Sequence, residues 1–193
     1  MRPVTGIVLA GGQGRRLGMG PKHSVPVGEQ TMLDRVADWF APQVSALRIN
    51  GPRDAATVRH DPAPVGDGRY AGQGPLAGLL AAMRQVDADW IAGVPVDAVC
   101  GPRDLVARLQ GAVGKADSAY VAGQPCCLLV RTAAADSIET RLMLGRRSVI
   151  DWLESLGAVP VDFADRPDAV WSINTPNELA LAEQRLMPHE PSA

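Results

Sequence analysis

The sequence is poor in the residues from which many catalytic centres are built. Cysteine occurs only at Cys100 and at the adjacent pair Cys126 and Cys127. That set gives neither an even disulfide framework nor a CxxC metal spacing, so reduced, mostly buried thiols are expected. The histidines, His23, His60 and His189, stand apart with no HxxxH or HExxH spacing, which removes a zinc site or a histidine-based catalytic pair. No GxSxG nucleophile elbow is present. Lys and Arg total 19 against 21 Asp and Glu, a net charge of −2, so the basic excess of a nucleic-acid binder is missing. No apolar stretch approaches the roughly 20 residues that span a bilayer, and the apolar start is cut off at Gly11 and Gly12, too early for a signal peptide. A cytoplasmic protein is expected, with no nucleic acid and no membrane as partner.

What remains is ample material for a core. With 193 residues, 46% of them hydrophobic, one compact domain is the expectation. It spans 1–186, followed by a flexible tail at 187–193. Val4 to Leu9 is a short apolar run ending in glycines, which reads as a buried strand feeding a loop that lasts to about Val27. Thr31 caps a helix that presents Met32, Leu33, Val36, Trp39 and Phe40 on one face. Ala46 to Ile49 is the next strand, and Gly51 to Gly74 is mostly loop. Pro75 sits at the first position of a helix carrying Leu76, Leu79, Leu80 and Met83. Trp90 to Val94 is a strand, with a helix around Leu105 to Leu109. Tyr120 to Val121 and Cys126 to Val130 pair around a turn, Ile138 to Leu144 and Val149 to Leu156 are helical, and Val159 to Phe163 forms a further strand. Thr175-Pro176-Asn177-Glu178 has the form of a capping box starting a helix to Leu186. The alternation predicts an α/β fold, a single doubly wound, mainly parallel sheet with helices on both faces. Ligands then bind at the carboxyl ends of the strands.

The chemistry concentrates between Leu9 and Lys22. Leu9-Ala10-Gly11-Gly12-Gln13-Gly14-Arg15-Arg16-Leu17-Gly18-Met19-Gly20-Pro21-Lys22 joins glycines, whose backbone N–H groups approach phosphate oxygens unhindered, to the guanidinium forks of Arg15 and Arg16 and the point charge of Lys22. It fits neither GxxxxGK[ST] nor GxGxxG. A phosphate cradle is expected; a surface turn with solvated arginines is the plainer alternative.

These residues resemble the molybdenum cofactor guanylyltransferases, in which a strand leads into an LAGG-x-x-x-RxG loop followed by a lysine. The resemblance continues in order through Gly74-Pro75-Leu76-Ala77-Gly78, Asp97, Gly145-Arg146-Arg147 and Asn174-Thr175-Pro176-Asn177-Glu178-Leu179, so it covers nearly the whole chain. The GPLAG segment separates this family from many sugar nucleotidyltransferases. The resemblance implies a nucleotide-diphospho-sugar transferase-like domain that transfers GMP from Mg²⁺-bound GTP to molybdenum-molybdopterin, releasing pyrophosphate. It also implies transient contact with molybdenum-enzyme maturation proteins; a monomer or weak homo-oligomer is expected.

Carried over by position, Arg16, Lys22 and Asp97 are the catalytic candidates, with Asp97 as the Mg²⁺ ligand. Leu9, Ala10, Gly11, Gly12, Arg15, Lys22, Asn50, Asp67, Gly74, Pro75, Leu76 and Asp97 are the nucleotide-binding set, and Gly78, Arg146, Arg147 and Asn174 the acceptor set. Several have a local alternative: helix capping or a loop role for Asp97, capping for Asn174, solvated surface charge for Arg16 and Lys22, a turn role for Asn50 and Asp67, and complementing a helix dipole for Arg146 and Arg147. The chain departs from the family at Pro21, where an acidic residue is usual, and at Asp97-Ala98-Val99, where aspartate-threonine-proline is usual. Enzymes that use CTP or a sugar phosphate, and a catalytically silent nucleotide-binding module, are the competing functions.

Overall fold

A computed structural model of the chain describes residues 3–12, 14, 16–52, 55, 64–66, 68–165 and 170–186. The strands are β1 (Thr5–Leu9), β2 (Pro26–Val27), β3 (Gln30–Thr31), β4 (Ala46–Asn50), β5 (Pro64–Val65), β6 (Trp90–Pro95), β7 (Ala98–Cys100), β8 (Ser118–Val121), β9 (Gln124–Arg131), β10 (Val159–Val161) and β11 (Trp171–Ser172). The helices are α1 (Met32–Phe40), α2 (Pro75–Gln85), α3 (Leu105–Val113), α4 (Ala135–Met143), α5 (Val149–Ser155) and α6 (Pro176–Leu186). The expected tail at 187–193 lies outside the described residues.

β1 is buried along its whole length, as a central strand covered on both faces must be. Its side chains alternate between two cores. Val4 and Val8 pack with Leu33, Val36 and Phe40 of α1, Leu105 and Leu109 of α3, and Leu179 of α6. Ile7 and Leu9 pack with Leu76 and Leu79 of α2, Ile138 and Leu142 of α4, and Trp152 and Leu153 of α5. Period-two alternation in one strand thus divides the helices between the faces. Gly6 is what lets α1 come so close, because a Cβ there would meet Phe40 and Val44 at 2.9 Å.

The main sheet runs β10-β8-β9-β6-β1-β4-β5. Every pairing in it is parallel except those of β9, which runs antiparallel to β6 and β8. The chain first builds outward from β1 through β4 and β5, then places β6 on the other side of β1. This reversal of strand order is a topological switch point, where the loops leaving β1 and β6 diverge and leave a crevice. The ladders are level there: Leu9 pairs with both Asn50 and Pro95. The Ala10 N–H still donates to Asn50 O (2.6 Å), and the Val96 N–H to Leu9 O (3.1 Å).

Two small sheets escaped the sequence reading. β2 and β3 form a hairpin, and β7 pairs with β11 in antiparallel fashion. Their strands are too short to give a period. α1 and α6 begin as read: Thr31 Oγ1 accepts from the Asp34 N–H (3.1 Å) and Thr175 Oγ1 from the Glu178 N–H (3.3 Å). Of the cysteines only Cys127 is buried, while Cys100 and Cys126 are half-buried. The expectation of mostly buried thiols is corrected to that extent.

Trp152 is fully buried, and its indole N–H donates to Ser137 Oγ (2.9 Å), joining α5 to α4. Trp152→Ala leaves a cavity and removes the indole bond between α5 and α4, so it is expected to lower unfolding stability by about 3–5 kcal/mol. The shift in denaturant midpoint at constant slope checks this.

Candidate active site

A cavity of about 580 Å³ opens at the carboxyl edge of β1, β4 and β6. Leu9, Gly11, Gly12, Gly14 and Lys22 line one side, Pro95, Val96, Asp97 and Cys126 another, and Asn50, Gly72, Gly74 and Pro75 the third. A larger groove of about 800 Å³ lies away from this edge, among Arg35, Trp39, Cys100 and Arg103. It has neither the switch-point position nor a glycine loop.

The loop after β1 is folded by its glycines. Gly14 is left-handed at φ +60°, and Gly14 O accepts the N–H groups of Leu17 and Gly18 (2.9 and 3.2 Å). A Cβ on Gly14 would collide with the Gly20 carbonyl. Buried Leu17 roots the loop in the core. The loop closes where the Lys22 N–H donates to Gly12 O (3.1 Å), while a Cβ on Gly11 would meet open space. Pro21 fits without strain: its φ of −60° is proline's own, and it precedes a short 3-10 turn, Lys22–Ser24.

That turn delivers Lys22 across the crevice. Its Nζ lies 2.5 Å from Asp97 Oδ2 and 2.6 Å from Asn174 Oδ1, three groups drawn from the start, middle and end of the chain. The Lys22 and Asp97 side chains are only 14% and 16% exposed. Arg16 reaches the same Asn174 oxygen at 3.4 Å from a more exposed position.

Local roles do not occupy these side chains. Asp97 stands in the turn between β6 and β7 and precedes a strand, not a helix; its carbonyl accepts the N–H groups of Val99 and Ile173 (both 2.9 Å). The second of these bonds brings the segment after β11 beside β6. Asn174 is then fixed from behind by Glu178, whose Oε2 accepts the N–H groups of Asn174 (2.7 Å) and Thr175 (2.9 Å). The Asn174 backbone N–H, together with the Thr175 bonds, holds the Glu178 carboxyl below its ordinary range. The capping box thus leaves the Asn174 amide oxygen turned to the cations.

Asn50 ends β4, buried, with its amide donating to Val65 O (2.8 Å). Gly78, inside α2, packs on it: any Cβ there would overlap Asn50 Oδ1. Gly78, Leu76 and Ala10 are therefore buried neighbours of the cavity and not its lining. Gly74 at φ +90° and Pro75 start α2 at the rim. Arg146 and Arg147 are exposed after Gly145 (φ +71°), where the Arg146 N–H donates to Arg141 O (2.9 Å) and ends α4. Because α4 follows the antiparallel strand β9, it ends at the same edge of the sheet as the cavity, although neither arginine lines it. Arg15 and Asp67 lie outside the described residues.

Cys126 was missed as a lining residue. Burial, and then the Asp97 charge, push its thiol up to about 11, so it presents a neutral wall at physiological pH. The adjacency of β9 to β6 that brings it there has no signature in spacing. Among the described residues no group of three or more His, Cys, Asp and Glu could hold a metal, and no helix is long and apolar enough to cross a membrane. The oxygen set of Asp97 and Asn174 does fit Mg²⁺, which takes few protein ligands and fills its shell with phosphate oxygens and water.

The site is thus a glycine-lined cavity at a switch point, with a lysine, a carboxylate and an amide gathered at it. The model of the MobA-like NTP transferase domain matches residues 6–159. The chain belongs to the MobA-like NTP transferase family. A molybdenum cofactor guanylyltransferase of Shewanella loihica is 33% identical over 182 residues, covering 91% of this chain and 93% of that one. The crystal structure of molybdopterin-guanine dinucleotide biosynthesis protein A from Archaeoglobus fulgidus superposes with a TM-score of 0.77 at 23% identity, covering 94% of this chain and 97% of that one. The 2-C-methyl-D-erythritol 4-phosphate cytidylyltransferase of Thermus thermophilus gives 0.74 at 16%, with 96% and 98% covered. At those identities the two structures show the shared fold alone. The family assignment makes this chain a nucleotidyltransferase, and its mainly parallel sheet agrees with the fold class expected from sequence.

Because Glu178 ionises below the ordinary carboxylate range, its hold on Asn174 is fully present above that range and is lost as pH falls through the lowered value. The amide protons of Asn174 and Thr175 are expected to be protected from exchange at neutral pH. Glu178→Gln should speed their exchange at pH 7 while leaving β-sheet amides unchanged, as read by NMR.

Proposed function

We propose that this enzyme transfers GMP from Mg²⁺-GTP to the terminal phosphate of molybdenum-molybdopterin, releasing pyrophosphate. The observation that carries this reading is the convergence of Lys22, Asp97 and Asn174 on a glycine-lined cavity at the switch point. The choice of guanylyl group and acceptor follows the name of the relatives, molybdenum cofactor guanylyltransferase.

The reaction is an in-line displacement: an acceptor phosphate oxygen bonds to the α-phosphorus as the α–β bridging bond breaks. Such a reaction needs alignment and charge neutralisation more than a covalent nucleophile. The glycines from Gly11 to Gly14 admit the triphosphate against the backbone, and Arg15 and Arg16 add donors. Lys22 exchanges its carboxylate partner for the phosphates and stabilises the charge that grows on pyrophosphate. Asp97, with Asn174 beside it, would hold Mg²⁺, which supplies further neutralisation of the phosphate oxygens. Leu9, Ala10, Asn50, Gly74, Pro75 and Leu76 shape the pocket for the nucleoside, with Gly78 allowing α2 to approach Asn50. Asp67 accepts from the N1–H and exocyclic amine of guanine, a donor pair that adenine and cytosine lack. Arg146 and Arg147, exposed after the end of α4, receive the acceptor's phosphate. Transient contact with molybdenum-enzyme maturation proteins belongs to the same proposal, for a cytoplasmic enzyme.

Incubation with a molybdopterin acceptor and each Mg²⁺-NTP in turn, with pyrophosphate measured, is expected to give release with GTP. Release with CTP and not GTP would reject the guanylyl reading, and no release with any nucleotide would favour a silent module. Lys22→Ala and Asp97→Asn are each expected to lower kcat by about two to three orders of magnitude. Both variants are expected to remain folded with lowered thermal midpoints, because each leaves its largely shielded partner without the opposite charge, so kcat is read well below those midpoints. Near-full turnover of either variant removes that residue from the mechanism.

A further inference from the structure

The wall of the cavity formed by Gly72 and Gly74 is built from a segment with little stiffness of its own. Gly68, Gly72 and Gly74 all stand at positive φ (+56°, +75° and +90°). The Ala71 N–H donates to Gly68 O (3.3 Å) and the Gln73 N–H to Tyr70 O (3.1 Å), bonds that close turns inside the segment, while Gly74 O accepts from the Ala77 N–H of α2 (3.1 Å). Three glycines in seven residues make ordering such a segment entropically costly. Its anchor is at Arg69 and Tyr70. The Tyr70 ring packs against the core under α2 and α4, and the Arg69 guanidinium lies over that ring at 4.9 Å. Both side chains turn to one carboxylate, Glu139 of α4: Arg69 forms an ion pair with Glu139 Oε1, and the Tyr70 hydroxyl donates to the same oxygen at 3.3 Å.

Glu139 is itself held from the other side. Arg84, in the last turn of α2, reaches Glu139 Oε2 at 3.0 Å and also pairs with Asp136. The carboxylate is 24% exposed and is kept below its ordinary pKa range by Arg69 first, then Arg84. A lone exposed ion pair contributes little, but here two guanidinium groups and a phenol share one carboxylate, and a stacked ring fixes one of the guanidinium groups.

We propose that Glu139 is a positioning residue for the nucleotide: through Arg69 and Tyr70 it clamps the Gly68–Gly74 segment against α4, so that the cavity wall is ordered before the nucleotide arrives. This rests on the nucleotide reading of the cavity. The carboxylate never meets the reacting atoms. Its loss is felt as an ordering cost added to nucleotide binding, leaving the chemistry of the bound complex intact.

The test uses full-length protein and the variants Glu139→Ala, Arg69→Ala and the double substitution, with GTP and CTP affinities by isothermal titration and steady-state KM and kcat. Each single variant is expected to raise nucleotide Kd and KM about three- to tenfold, with acceptor KM and saturating kcat within about twofold. The double variant should be no worse than the weaker single one, because one clamp is lost only once. An unchanged nucleotide Kd, effects that multiply in the double variant, or a loss confined to kcat would overturn the clamp. If the unaltered protein binds CTP and not GTP, and the variants weaken CTP in the same pattern, the guanine assignment falls and the clamp stands. If it binds no nucleoside triphosphate, both fall.

Discussion

Everything at the carboxyl edge of the sheet turns on where the Lys22 ammonium is held. It sits between a carboxylate at the end of the central strand β6 and an amide at the start of the last helix, at 2.5 and 2.6 Å, in a crevice where both ionic side chains are largely shielded from water. A charge pair in that setting is sensitive to its partners, because each partner removed leaves a poorly solvated charge. The same sensitivity suits a site that must accept a polyanion. In the proposed function, phosphates entering beside Lys22 would offer it a second set of oxygens and leave Asp97 able to take a cation.

Each member of this triad is placed by a different device. Lys22 depends on the turns at Gly14 and Gly20, on Leu17 in the core and on Pro21 at its natural φ. Asp97 depends on β6 ending level with β1. Asn174 depends on the β7–β11 pairing and on Glu178, which caps α6 and fixes the Asn174 backbone in one move. The indole N–H of Trp39, donated to Ala98 O at 2.9 Å, ties α1 to the strand next to Asp97. Gly101 leaves room for that ring, since a Cβ would stand 2.6 Å from it. Side chains far apart in sequence are thus positioned by strand pairing, buried packing and side chains that bond to the backbone.

Much of this was legible in the sequence. The long periodic helices, the capping box at Thr175 and the strand feeding a glycine loop are local patterns, and each appears where local chemistry puts it. The order of motifs also carried the family, because fold and cavity follow from one strand arrangement. What the sequence could not convey is adjacency. β9 lies beside β6, so Cys126 enters the cavity; β7 pairs with a two-residue strand far downstream; and Glu139 gathers groups from two other segments. Equally hidden was that Ala10, Leu76 and Gly78, which belong to the motifs, stand buried behind the cavity lining.

The central claim is that the Leu9 to Lys22 loop cradles a triphosphate opposite Asp97. Hydrogen–deuterium exchange with and without Mg²⁺-GTP tests it most directly, since the backbone amides of the loop are the proposed ligands. Exchange is expected to slow in peptides covering Leu9 to Lys22 and Gly72 to Pro75. Unchanged exchange there, with protection appearing instead around Arg35, Trp39 and Arg103 in the larger groove, would contradict it.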